Sequence, residues 1–190
     1  TNERKQWVLE TGCVLPVLSL LEHTDDRLVK AATALTGNLC DGNDRQTQHV
    51  INNGGIDDMR RLLCHRSLAI RIGAASALSG IAGGNNDQLR SLIAADVFSE
   101  LFKIAMDPQC PAKLLNEVVC VMCNTCSGGS DCQVDDLVKA GIIPALGASF
   151  RKSNVKISSI ALETITNILD IGELKKIEES IEVNPFSKEL

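Results

Sequence analysis

Three cysteines at intervals of three residues, Cys120, Cys123 and Cys126, followed by Cys132, form the pattern in this chain that most suggests metal or redox chemistry. Closely spaced thiolates ligate zinc and iron–sulfur clusters. Such a cluster requires a loop that wraps around the metal, whereas these three cysteines fall on a segment predicted to be one continuous helix, so their side chains diverge around it. We interpret them as buried structural residues and expect neither a metal nor a cofactor. A cysteine-based metal or redox protein stays open as an alternative.

The histidines and the glycine pairs suggest no catalytic arrangement. His23, His49 and His65 have no carboxylate or cysteine at a recurring ligand spacing, so we interpret them as surface or capping residues. Gly83-Gly84 and Gly128-Gly129 neither follow a predicted strand nor precede a Lys-Ser or Lys-Thr pair, as a phosphate-binding loop would. We therefore expect no catalytic residues and no enzyme activity.

The composition limits the classes of partner. The chain has 190 residues, of which 44% are hydrophobic and 3% aromatic, and its net charge is −5. A general nucleic-acid binder needs a basic face, which this acidic chain argues against. No apolar run approaches the length of about 18 residues that a membrane span requires. Residues Thr1–Lys5 contain neither an initiator Met nor a signal-peptide segment, so we expect the sequence to be a fragment.

Six of the eight cysteines lie in or beside apolar helical segments, which is typical of small buried thiols. They are Cys13, Cys40, Cys64, Cys120, Cys123 and Cys126. We expect them to be reduced, as in a cytosolic or nuclear protein.

The chain repeats itself at intervals of about 42 residues, in two independent sequence frames. The first frame is a short apolar run that closes on a turn residue, at Gly12, Gly54, Asp96 and Gly141. The second frame recurs around Asn38, Gly80, Asn124 and Asn167. Each unit has the pattern of three helices, which cannot bury their apolar faces alone and must stack on their neighbours.

The repeats predict an all-α solenoid with four units, at residues 1–42, 43–84, 85–129 and 130–172. Residues 173–190 are then the truncated start of a further unit or a C-terminal tail. Small residues dominate the third helix of a unit, as in Ala74-Ala75-Ser76-Ala77, and allow neighbouring helices to approach closely. A three-helix unit of about 42 residues has the period of armadillo repeats.

Four segments, taken in order along the chain, resemble the last repeats of importin-alpha (karyopherin-alpha). They are Gly37-Asn38 with residues 46–51, Asn124–Gly129, Leu137–Leu146 with Ile165–Glu173, and Asn184-Pro185-Phe186. The resemblance implies a right-handed superhelix of armadillo repeats whose third helices line a concave groove. In that family the groove holds extended nuclear localisation signals rich in Lys and Arg.

The candidate peptide-binding residues follow from this resemblance, residue by residue. Asn38, Asn124 and Asn167 match the groove asparagines, whose amides can both donate to and accept from a peptide backbone. Glu117 matches an acidic groove position, and Cys120 stands where the family has a Trp.

The sequence departs from the family pattern at several groove positions. Gly80 replaces the groove Asn in the second repeat, and Gly73 replaces the acidic residue. At the other positions of the Trp series stand Ala34, Ser76 and Glu163. Each missing indole removes a cation–π contact of roughly 0.5–2 kcal/mol, so we expect weakened binding of a basic peptide.

The expected function is that of a nuclear import adapter which shuttles between cytoplasm and nucleus and has no nucleic-acid or membrane partner. The resemblance implies as partners the signal peptides of cargo proteins, an export receptor and nucleoporins. It implies importin-beta only through an N-terminal arm that lies outside this sequence. The alternative is an armadillo-repeat scaffold of another kind, catenin-like or regulatory, with a different peptide in the groove.

Overall fold

The computed structural model describes residues 2–151 and 154–178, with side chains described within residues 3–151 and 154–173. These ranges form twelve α-helices and contain no β-strand. The helices are α1 Asn2–Glu10, α2 Val14–Ser19, α3 Asp26–Cys40, α4 Asp44–Asn52, α5 Gly55–Leu62, α6 Leu68–Ala82, α7 Asn86–Ala94, α8 Val97–Met106, α9 Ala112–Gly128, α10 Asp131–Ala140, α11 Ile142–Ser149 and α12 Val155–Glu178. A 3-10 turn, Leu20–Glu22, follows α2. No helix in the described ranges is long and apolar enough to cross a bilayer.

The helices are arranged as successive triplets, which stack through rows of equivalent helices. The third helices form one continuous row, in which α3 packs on α6, α6 on α9 and α9 on α12. The second helices α5, α8 and α11 form another row, and the first helices α1, α4 and α7 a third. This arrangement is an α-solenoid, in which each unit contacts only its neighbours.

A residue with a left-handed backbone joins the first helix of each triplet to the second. The φ angles are 71° at Gly12, 86° at Gly54, 53° at Asp96 and 103° at Gly141. Glycine adopts this conformation without the steric cost that a Cβ imposes. These four residues are the positions at which the first sequence frame closes, so that frame marks the turn between the two short helices.

A capping glutamine ties the first helices α7 and α10 to the first helix of the preceding triplet. At the start of α7, the N–H of Asn85 donates to Gln88 Oε1 at 3.3 Å, and the N–H of Gln88 donates to Asn85 Oδ1 at 3.2 Å. This reciprocal pair is a capping box. The same Gln88 is fully buried and donates from Nε2 to the carbonyl of Asp44, the first residue of α4, at 2.9 Å. Gln133 repeats the link to the carbonyl of Asn86 at 3.2 Å.

Small residues allow the third helices to pack closely. A Cβ placed on Gly37 would lie 3.7 Å from the Cβ of Ala77, at ordinary van der Waals distance. A Cβ placed on Gly80 would lie only 3.0 Å from the carbonyl carbon of Cys40, so no larger residue fits there without a shift of the helices. Ala74, Ala75 and Ala77 are fully buried between the helices.

Two sequence expectations fall near the end of the described chain. The predicted boundary at residue 172 lies within α12, which continues without a break to Glu178. The segment Asn184-Pro185-Phe186, which contributed to the family resemblance, lies outside the described residues. The four repeat boundaries therefore stay a prediction.

Candidate peptide-binding groove

The third helices α3 and α6 form the floor of an open groove of about 700 Å³. Ala34 and Asn38 line it from α3, Ser76 and Gly80 line it from α6, and Asn124 reaches it from α9. The volume lies within the range of about 300–1,000 Å³ that is usual for ligand sites. This surface brings together two of the five residues that the sequence singles out, Asn38 and Asn124.

Asn124 differs from Asn38 in its contacts. Both side chains are exposed. The Nδ2 of Asn124 lies 3.2 Å from the carbonyl oxygen of Ser79 and 3.3 Å from its Oγ, so this amide bridges α9 and α6. Within the described residues, no group donates to Asn124 Oδ1, which leaves this oxygen as an acceptor for a ligand. An amide that spans two repeats is therefore part of the groove wall.

Close helix packing explains why Gly80 stands at the position that Asn38 and Asn124 occupy in their repeats. Because a Cβ at this position would approach the backbone of Cys40 to 3.0 Å, an Asn would separate α3 from α6. Gly73 lies about two helical turns before it. Its Cβ would lie 2.9 Å from the Cγ2 methyl of Thr33 on α3. Both departures from the family pattern therefore fall where these two helices are in closest contact.

Glu117, Cys120 and Asn124 lie on one face of α9, at spacings of three and four residues. Glu117 and Cys120 are half-buried. Burial raises the pKa of the Cys120 thiol, the charge of Glu117 raises it further, and Lys156 of α12 opposes both. The thiol is therefore neutral at pH 7.

Asn167 is exposed on α12, the helix that packs against α9. It does not line the 700 Å³ groove. The described structure thus places Asn38 and Asn124 in one groove, Glu117 and Cys120 on the adjoining face of α9, and Asn167 one helix further along.

Two carboxylates that line the groove were not among the site residues predicted from the sequence. Asp41 and Asp44 are exposed and line the groove beyond Asn38, and Asp44 Oδ2 accepts from Asn85 Nδ2 at 3.1 Å. The signal that could have found them is their position directly after the third helix, where the chain turns into the next first helix. They contribute two carboxylates to this end of the groove, where Lys5 Nζ also donates to the carbonyl of Asp41 at 2.5 Å.

The cysteines of the spaced pattern are separated by their environments. Cys123 and Cys126 are buried in the core, and burial raises their pKa values to about 11 and about 12. Cys132 is exposed on the next helix, α10. Among the described residues, no three His, Cys, Asp or Glu side chains gather in a way that could hold a metal ion.

The expectation of burial is wrong for three of the six cysteines. Cys13 and Cys120 are only half-buried, and Cys64 is exposed, whereas Cys110, which was not among the six, is buried. Cys64 lies just after α5 ends at Leu62, so it follows the buried Leu62-Leu63 pair without sharing its environment. Its Sγ donates to Glu100 Oε2 at 3.6 Å.

His23 and His65 are not the N-caps of the helices that follow them but bind the backbone of the residues that are, Asp25 and Ser67. His23 is exposed, as the surface interpretation expects. His23 Nδ1 accepts from the N–H of Asp25 at 2.9 Å, and His65 Nδ1 accepts from the N–H of Ser67 at 3.0 Å. Both residues precede a third helix, α3 and α6 respectively. His49 is exposed on α4.

Known proteins with similar sequences and structures support the fold. Residues 1–41 match the family model of the armadillo/beta-catenin-like repeat. Importin subunit alpha-1a of Oryza sativa subsp. japonica is 30% identical over 189 residues, which are 99% of this chain and 36% of the rice protein. The chain therefore spans little more than a third of the length of that relative.

Among solved structures, a designed armadillo repeat protein superposes with a TM-score of 0.84 at 26% identity, covering 100% of this chain and 77% of the other. A second designed armadillo repeat protein, solved in complex with peptide (KR)4, gives a TM-score of 0.81 at 25% identity and covers 100% and 83%. The fold is an α-solenoid of armadillo repeats, as the sequence predicts.

Proposed function

We propose that this armadillo-repeat solenoid binds an extended peptide rich in Lys and Arg in the groove of its third helices. The observation that carries the proposal is the presence of Asn38 and Asn124 in one groove with two carboxylates at its end. One solved relative of the same fold is in complex with peptide (KR)4, an alternating basic sequence.

Each part of the groove has a physical role in this proposal. The exposed amides of Asn38 and Asn124 hydrogen-bond to the peptide backbone, which an extended peptide presents unpaired. Asp41 and Asp44 attract the cationic side chains, and the net charge of −5 adds a longer-range attraction. Small lining residues such as Ala34 and Ser76 allow the peptide to lie close to the helices.

The affinity is expected to be modest. No indole lines the described groove, and Ala34, Ser76 and Cys120 stand at positions where the importin-alpha pattern has large residues. Each missing cation–π contact removes roughly 0.5–2 kcal/mol, so two of them weaken binding by about 5- to 1,000-fold. We therefore expect weaker binding of a basic peptide than in a groove with a complete Trp series.

In this proposal the chain is part of a nuclear import adapter, which shuttles between cytoplasm and nucleus. The support is its similarity to the rice importin subunit alpha-1a over 99% of the chain. The proposed partners are cargo proteins with basic localisation signals, an export receptor and nucleoporins, with importin-beta binding through an arm outside this sequence.

A second candidate is an armadillo scaffold of another kind, catenin-like or regulatory, whose groove holds a different peptide. Two observations favour it. Small or polar residues stand at the Trp positions, and the Nδ2 of Asn124 already donates to Ser79 within the protein. A groove of this kind would not prefer a basic peptide over a neutral one of the same length.

The proposal is tested by titrating the protein with a fluorescein-labelled (KR)4 peptide and with a glycine-serine peptide of equal length. We expect saturable binding of the basic peptide, weakening by at least fivefold between about 50 and 300 mM salt because charge attraction is screened. The double variant Asn38→Ala/Asn124→Ala is expected to bind about tenfold more weakly, in line with two lost hydrogen bonds.

The matched control is Asn52→Ala, which removes an exposed Asn of the first helix α4, outside the groove lining. Its affinity should equal that of the unmodified protein. Equal binding of the basic and neutral peptides would support the second candidate. A loss in Asn52→Ala as large as in the double variant would contradict the assignment of the groove.

A further inference from the structure

A second concave surface lies away from the groove, between the second helix α8 and the first helix α10 of the next triplet. This crevice has a volume of about 440 Å³, within the range of ligand sites. Its lining residues come from α7, α8, α10 and the junction between α7 and α8, and none lies on a third helix. Binding here would therefore be independent of the groove.

The floor of the crevice is apolar and ready-formed. Phe98 and Phe102 stand one turn apart on α8, with ring centroids 6.0 Å apart, and each is only 5% exposed. Leu137 of α10 closes the opposite wall. Met106 lies at the rim and is 47% exposed, and its flexible thioether can adapt to the shape of a ligand. The crevice is therefore suited to a bulky apolar side chain.

The rim of the crevice is negatively charged. Asp96 and Asp136 line it and are exposed, and within the described residues neither carboxylate forms an ion pair. The one cation of the lining, Lys103, is paired with Glu100 at 2.7 Å and also interacts electrostatically with Asp96. Lys139, outside the lining, interacts in the same way with Asp136. Carboxylates that form no ion pair attract a positive charge. The ligand that fits the crevice therefore carries a cation beside its apolar side chain.

The junction at Asp96 differs from the equivalent junctions in the other triplets. The three equivalent junctions carry glycine, whereas Asp96 holds a side chain at φ 53°, a conformation that costs a non-glycine residue roughly 1–2 kcal/mol. Asp96 Oδ1 accepts a hydrogen bond from Ser99 Oγ, the kind of local contact that allows an aspartate to adopt this conformation, and its side chain lies at the edge of the crevice.

We infer that the α8–α10 crevice is a second peptide-binding site, which takes a segment of a partner protein with a large apolar side chain next to Arg or Lys. The apolar side chain inserts against Phe98 and Phe102. The cation lies between Asp96 and Asp136. A partner could then occupy the crevice while another peptide occupies the groove.

The test uses NMR titration of the full 15N-labelled chain with a hexapeptide of two central phenylalanines flanked on each side by two arginines. The shifts of backbone amides separate the two sites, since the crevice lies at residues 93–106 and 136–140 and the groove floor at residues 33–44 and 69–84. We expect saturable shifts in the crevice. A peptide with glutamates in place of the arginines should bind at least tenfold more weakly.

Two variants and a control connect the shifts to named residues. Asp136→Lys reverses the charge of the rim, and Met106→Lys introduces a positive charge at an exposed rim position. Each should reduce crevice affinity for the arginine-flanked peptide at least tenfold, without loss of fold by circular dichroism. Asp131→Asn, on the same helix but outside the lining, should leave it unchanged. Shifts confined to the groove, no saturable shifts, or full affinity in Asp136→Lys would overturn the inference.

Discussion

At the scale of single residues, the environment of each cysteine decides its chemistry more than its spacing does. Cys120, Cys123 and Cys126 share one helix, yet two are buried and one is half-buried beside Glu117. Burial raises the pKa of Cys126, and that of Cys40, to about 12. These thiols resist ionisation in the folded chain, whereas the unfolded chain ionises them near pH 9.

This difference predicts a loss of stability in alkali. A raised folded pKa contributes stability that is fully present below pH 9 and is lost as the pH rises toward 12. At pH 10, ionisation of Cys40 and of Cys126 in the unfolded chain should each lower the free energy of unfolding by about 1 kcal/mol. Urea titrations between pH 7 and 10 measure the slope, and since the chain contains no Tyr, phenol ionisation does not contribute.

The variant Cys40→Ala/Cys126→Ala separates the thiols from the other titrating groups. Its stability at pH 7 can be lower, because the core loses volume, but its decline between pH 8 and 10 should be shallower by about 2 kcal/mol. A decline as steep as that of the unmodified chain would mean that these two thiols do not control the alkaline transition.

At the scale of elements, the turn between the first and second helices depends on backbone conformation alone. Gly54 has φ 86°, and a Cβ placed on it meets nothing within 4 Å. Gly54→Ala should therefore destabilise the chain by about 1–2 kcal/mol through strain and without a clash. Thermal or urea unfolding measures the change.

Gly147 is the matched control, since a Cβ there also meets nothing within 4 Å and its φ is not in the left-handed region. It lies inside α11, where glycine weakens a helix. Gly147→Ala should stabilise the chain by about 0.5–1 kcal/mol. Equal effects of the two substitutions would show that the left-handed backbone conformation is not the reason for a glycine at position 54.

The elements were more predictable than the site. Periodicity and closing glycines are local signals, so Gly12, Gly54 and Gly141 marked the turns correctly from the sequence. The burial of Cys64 was mispredicted because its apolar neighbours in sequence end with the helix. The bridge from Asn124 to Ser79 joins residues 45 positions apart, which no local pattern encodes.

Some signals were present in the sequence but were not used. Asn85 followed three residues later by Gln88, and Ser130 followed by Gln133, are capping-box patterns that recur with the repeat. They predict where the first helices begin. That the same glutamines also bind the preceding repeat could not be predicted, because it depends on how the triplets stack.

At the scale of the whole molecule, stability comes from contacts between neighbouring triplets, and Gln88 is one of the polar ones. Gln88→Ala removes the cap of α7 and leaves the carbonyl of Asp44 without its 2.9 Å partner. We expect a loss of about 1–3 kcal/mol. Hydrogen exchange should show the loss in both α4 and α7, because the link couples two repeats.

Gln48→Ala is the control for this prediction. Gln48 donates to Asn52 at 2.8 Å within α4 and reaches no other repeat. Its substitution should change stability by less than about 0.5 kcal/mol. If exchange in Gln88→Ala increased in α7 alone, the glutamine would act only as a local cap.

The two kinds of contact between repeats also give the molecule a preferred direction of bending. Glycine and alanine contacts bring the backbones of α3 and α6 close together. The first helices are instead joined by side-chain hydrogen bonds, from Asn85 and Gln88 to Asp44 and from Gln133 to Asn86. Under tension we expect the distance between the first helices to increase first, while the third helices α3 and α6 keep their spacing. A force applied to the two ends should therefore bend the solenoid, with the side of the first helices extended, before it separates any two repeats.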